Sequence, residues 1–100
     1  MNDAKVVIIV HNYFGQYIEN KDLAKQIRDE ELLPVLAENG ILIIDFNNVI
    51  FASHTVLNAM LATPINRLGL MAYKRIKVIN AASDIRGMLD FIFDRNTSNA

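Results

Sequence analysis

The groups in this sequence that could do chemistry are two histidines, His11 and His54, one strand-end carboxylate, Asp45, and a scatter of amides and hydroxyls. His11 follows the apolar run Lys5–Val10. Asp45, Asn47 and Asn48 follow the run Ile41–Ile44, and Asn80 follows Ile76–Ile79. Ser53-His54-Thr55 stands where a helix should begin. An imidazole beside a carboxylate suits proton transfer, a hydroxyl at a helix start can accept a phosphate, and amides at strand ends can hold a polar ligand. Each group also has a plainer use. Asp and Asn form turns by bonding nearby backbone N–H groups, which accounts for Asp45-Phe46-Asn47-Asn48, and Ser53 is a good helix N-cap. The histidines sit in no HxxH or HExxH spacing and cysteine is absent, so no metal site is expected. Gly15, Gly40, Gly69 and Gly87 are scattered singly and make no phosphate-binding loop. There is no GxSxG nucleophile, so neither catalysis nor a cofactor has a motif behind it.

These residues must be positioned by alternating strands and helices. Lys5–Val10 (KVVIIV) is β-branched and continuously apolar, as a strand covered on both faces should be. Gly15 marks a turn, and Gln16–Ile18 allows a short second strand. From Lys21 the spacing of Leu23, Ala24 and Ile27 predicts a helix capped by Asn20 or Asp22. Pro34 lacks an N–H, so that helix should break or restart near Glu30–Leu33 and then stop at Asn39-Gly40. Ile41–Asp45 reads as the next buried strand. Leu57, Met60, Leu61, Ile65 and Leu68 then form one helical stripe, which Pro64 is expected to kink or end early. Ile76–Ile79 predicts a third strand. A last helix from about Ser83 carries Asp84 in its first turn and the stripe Ile85, Met88, Leu89, Ile92 and Phe93. Apolar strands alternating with helices imply an α/β layer with a largely parallel sheet.

The composition narrows the function classes. Of 100 residues, 52% are hydrophobic, enough for a packed core in one domain. A net charge of −1 offers no general field for nucleic acid or an anionic membrane. No apolar run approaches the roughly 20 residues of a membrane span, nor does the start read as an export signal, so a cytoplasmic location is expected. Charge is uneven all the same. Residues 19–38 hold six acids and three bases, whereas Arg67, Lys74, Arg75 and Lys77 form a basic segment with no acid. Solvation is the common reason for such a run, and with Tyr73 as its only aromatic it makes no nucleic-acid footprint.

The run Ile41-Leu-Ile-Ile-Asp-Phe-Asn-Asn-Val49 followed by Ser53-His54-Thr55 resembles the apolar strand, Asp-Phe, Val and hydroxyl-rich helix start of STAS-type domains. It is most similar to bacterial STAS-like proteins related to the anti-sigma-factor antagonists. Ile76-Lys-Val-Ile-Asn80 with the Ile85/Leu89/Ile92 helix, and the Phe14-Gly15 turn before a helix, extend the likeness over most of 5–96. The resemblance implies a STAS-like fold, a small mixed and largely parallel sheet with helices mainly on one face. It also implies a protein partner of the ATPase or kinase type. The antagonists carry a phosphorylated Ser in an Asp-Ser-Ser-Gly turn at a helix start. On that pattern Ser53 takes the Asp position, His54 the acceptor Ser, Thr55 the second Ser and Val56 the Gly. A histidine thus replaces the usual acceptor, leaving Thr55 or Ser53 as hydroxyls.

The leading expectation is a non-catalytic, regulatory protein-interaction module that uses Asn47, Asn48, Ser53, His54, Thr55 and Asn58. The alternative is a small-molecule or nucleotide-binding protein, or a weak hydrolase, in which His11, Asp45, His54 and Asn80 converge. A third reading is a homodimer formed through the last helix, where Phe91 lies off the apolar stripe.

Overall fold

Three of the apolar runs become strands of one sheet. The computed structural model describes residues 4–98. Strand β1 spans Lys5–Ile9, β3 Ile41–Asp45 and β5 Ile76–Ile79, and they pair in the order β1-β3-β5 with both pairings parallel. Between β1 and β3 come α1 (His11–Phe14), β2 (Tyr17–Ile18), α2 (Lys21–Ile27), a π-helical turn (Arg28–Leu32) and α3 (Leu33–Ala37). Between β3 and β5 come β4 (Phe51–Ala52), α4 (His54–Leu68), a 3-10 turn (Gly69–Met71) and α5 (Ala72–Arg75). Helix α6 (Ser83–Thr97) closes the order. Strands β2 and β4 pair in parallel as a separate two-residue ribbon, Tyr17 with Phe51 and Ile18 with Ala52. The architecture is α/β with a small parallel sheet, as the alternation of runs predicts.

The strand order decides where the helices go. Both crossovers step in the same direction, from β1 to β3 and from β3 to β5. Right-handed connections that never reverse direction lie on one face of a sheet. Val6, Ile8, Leu42, Ile44, Ile76 and Val78 turn toward that face, and Ile44, Leu57, Leu61, Ile85 and Ile92 are fully buried in the core behind them. The alternate residues look the other way, since successive side chains in a strand point to opposite faces. Val7 is 52% exposed, Ile9 41% and Ile79 40%. The expectation that β1 is covered on both faces is therefore corrected. Its unbroken apolar run reflects one buried face and one open apolar face, because no crossover lies on the second side.

Local chemistry sets the helix ends. Asn20 caps α2, its Oδ1 accepting the Leu23 N–H at 3.0 Å. The restart foreseen at Pro34 takes the form of a π-helical turn, after which Pro34 stands in the first turn of α3 where its missing N–H is harmless. Asn39 takes φ +63° at the end of α3. Its N–H reaches Leu36 O at 3.3 Å and the Gly40 N–H reaches Val35 O at 2.9 Å, the paired bonds of a Schellman stop. The Arg75 guanidinium then donates to Leu36 O at 2.8 Å, which also accepts from Asn39, and to Gly40 O at 2.9 Å just past the helix, placing a cation against the helix C-terminus. Arg75 is thus spent inside the fold and is no free member of the basic segment. Pro64 neither ends α4 nor shortens it, because Val56, Leu57, Met60, Leu61, Pro64 and Ile65 are all buried on one face. That packing outweighs the single backbone bond the proline forfeits.

Candidate functional site

The carboxyl ends of β3 and β5 are tied together by one side chain. Asp45 Oδ1 accepts the backbone N–H of Asn47 at 2.9 Å and the side-chain amide of Asn80 at 3.0 Å. The first bond closes an Asx turn. A second turn overlaps it, with the Val49 N–H on Phe46 O at 3.1 Å and Asn48 at φ +67°. Asn48 is in the left-handed region that the third residue of a type II turn needs, which Asn tolerates better than most residues. Asn80 has φ +59°, so it also leaves its strand in that region. Phe46 donates its N–H to Ile79 O and is itself buried, anchoring the turn to the core. Asp45, Asn47 and Asn80 therefore form one cluster with Asn48 beside it, and its hydrogen bonds are those of a structural latch between strand ends.

A second group lies at the start of α4. Ser53 is the N-cap, with its Oγ accepting the Val56 N–H at 3.4 Å and its own N–H donated to Ile18 O at 2.9 Å. His54 and Thr55 are exposed in the first turn, and Asn58 is half-buried one turn on. The His54 ring packs against Phe91 of α6, ring centres 5.5 Å apart and tilted by 55°. His11 opens α1 at the end of β1 and its carbonyl accepts the Gly15 N–H. Neither imidazole hydrogen-bonds a carboxylate among the described residues, and no group of three or more His, Asp or Glu converges there as metal ligands would. His54 thus leans on α6 while Asp45 is held by Asn80, and no bond joins the two centres.

The sequence reading missed the surface that lies directly before Ser53. Ribbon β2–β4 buries Ile18 and Ala52 and turns Tyr17 and Phe51 outward side by side, 51% and 44% exposed. Ile50 and Tyr13 are exposed close to them in the chain. The ribbon runs straight into the N-terminus of α4 through the Ser53–Ile18 bond. A signal was present, since Val49-Ile50-Phe51-Ala52 is an apolar run after the Asn-Asn turn. Only Phe51–Ala52 of it pairs as a strand, too little for periodicity to mark. A groove of about 550 Å³ borders β5 between Tyr73, Arg86, Leu89 and Phe93, and it shares Ile43, Lys77 and Ile79 with the open side of the sheet. It does not include His11, Asp45, His54 or Asn80. No helix of the described residues is long and apolar enough to cross a membrane. No protein-family model, curated protein or solved structure matches the chain.

Proposed function

We propose that this protein is a non-catalytic, STAS-like protein-interaction module whose docking surface is the β2–β4 ribbon together with the first turn of α4. The single observation that carries the reading is the side-by-side exposure of Tyr17 and Phe51 next to the exposed His54 and Thr55. Aromatic side chains supply large contact area at low entropic cost and are enriched at the centres of protein interfaces. Half-exposed neighbours on a ribbon that the core does not cover have no packing reason to be there. The strand order supports the same choice over a small-molecule site. Ligands in open α/β sheets bind where the strand order reverses, and β1-β3-β5 has no reversal.

The resemblance to anti-sigma-factor antagonists makes an ATPase or kinase-like protein the partner in this reading, acting in regulation. A phosphoryl group on Thr55 would bring nearly two negative charges to the α4 start beside the aromatic pair, where it would alter docking. Affinity capture from the native host, with wild type compared against Phe51→Ser and Thr55→Glu, tests the proposal. A protein retained by wild type and lost with Phe51→Ser, while both variants keep the wild-type far-UV circular dichroism, is the expected result. Retention of no protein by any of the three, or equal retention by wild type and Phe51→Ser, overturns it.

A further inference from the structure

The open face of the β1-β3-β5 sheet is a second surface, distinct from the ribbon. Purely parallel sheets occur almost only with both faces covered. Here one face is left with Val7, Ile9, Ile43 and Ile79 at its centre. The register lays this face out in rows across the strands. Val7, Ile43 and Lys77 form one row, and Ile9, Asp45 and Ile79 form the next. Asp45 and Lys77 have opposite sign, sit on adjacent strands and lie one row apart, while Lys5 stands at the rim one row further out beside Ile41.

We propose that this face is covered by a second copy of the same chain, the two sheets packing face to face about a two-fold axis that crosses the strands between these rows. Such an axis sets Val7 of each copy over Ile9 of the other. It also brings each Lys77 to within about one strand spacing, ~4.8 Å measured laterally, of the partner's Asp45. Packed sheets stand about 10 Å apart, a gap that the long lysine stem bridges once its Nζ leaves the exposed 3.4 Å bond to Tyr73 O, while its methylenes line the apolar centre. The charge pair therefore forms twice and frames an apolar middle. An axis along β3 would instead set Asp45 against its own copy. Charge complementarity thus selects both the occupant and its orientation. Asp45 keeps its bonds to Asn47 and Asn80 through Oδ1, so its Oδ2 can face the partner without opening the turn.

Sedimentation equilibrium of the full chain across a range of concentrations tests the proposal. The expected mass is twice the chain's 11.3 kDa at high concentration. Val7→Lys should return it to the single-chain mass. Lys77→Glu should raise the dissociation constant on the order of tenfold, because two like-charged pairs then face each other. Phe91→Ser, on α6 away from this face, should leave the constant unchanged. Both Val7 and Lys77 are solvent-exposed, and thermal melts of the variants confirm that the protomer still folds. A wild type that stays monomeric throughout, a dimer that survives Val7→Lys, or one dispersed by Phe91→Ser would overturn the proposal.

Discussion

Asp45 shows how a residue with several chemical uses is assigned by its bonds. Its carboxylate accepts from Asn47 and Asn80 and so fastens the ends of β3 and β5. Removing an acceptor that satisfies two donors costs about 1–3 kcal/mol. Asp45→Ala should therefore lower unfolding stability by that order in urea titration, whereas Asp45→Asn, which keeps one acceptor oxygen, should lose less than half as much. Equal losses for the two would mean that charge, and not the turn geometry, is what matters there. The half of this latch that is local was legible in the sequence, since Asp-Phe-Asn-Asn is a turn by composition alone. The Asn80 half was not, because it joins residues 35 positions apart. His54 makes the same point. Its ring rests on Phe91, a contact that exists only once α4 and α6 have packed.

Side chains cap α2 and α4, at Asn20 and Ser53, whereas α6 starts after Ala82 without one, and two glycines show how different the reasons for a glycine are. At Gly40 a Cβ would stand 2.7 Å from Val35 Cγ1 and 2.9 Å from Val35 O, so the Schellman stop leaves no room for one. Gly87 sits inside α6, where a Cβ would meet nothing within 4 Å. Gly40→Ala should cost about 1–3 kcal/mol through overpacking, and Gly87→Ala should gain about 0.5–1 kcal/mol by restricting the unfolded chain. Opposite shifts in melting temperature are the outcome to look for, and a gain at Gly40 would contradict the close approach. The Asn39-Gly40 stop is visible in the sequence as a dipeptide. The Arg75 cap over it is not, because the arginine arrives from the far side of β3.

At the scale of the whole molecule the decisive feature is asymmetry, with every long helix on one side of three parallel strands. Ile44, on the central strand and fully buried, turns toward the helices. Truncation to Ala should remove about 2–5 kcal/mol in a single cooperative transition, since the core has no second sheet face on which to rely. A loss below 1 kcal/mol would show that the helices hold the protomer together without the sheet. The same asymmetry leaves the Val7, Ile9 and Ile79 face of the sheet in solvent, and the separate ribbon leaves Tyr17 and Phe51 there as well.

The sequence by itself determined where the three main strands and the helices α2, α4 and α6 lie, because the period of apolar residues, the Asn20 and Ser53 caps and the Asn39-Gly40 stop all act within a few neighbours. The short elements α1, β4 and α5 carry no such signal. The sequence carries no HxxH or HExxH spacing and no glycine-rich phosphate loop. Only the tertiary structure decided which side of each strand is buried. A run such as Val6-Val7-Ile8-Ile9 is equally apolar on both sides, and its two faces become different only when the crossovers commit to one of them. Strand order, which depends on contacts made across the whole chain, is therefore what turned a uniformly apolar strand into one core face and one open surface.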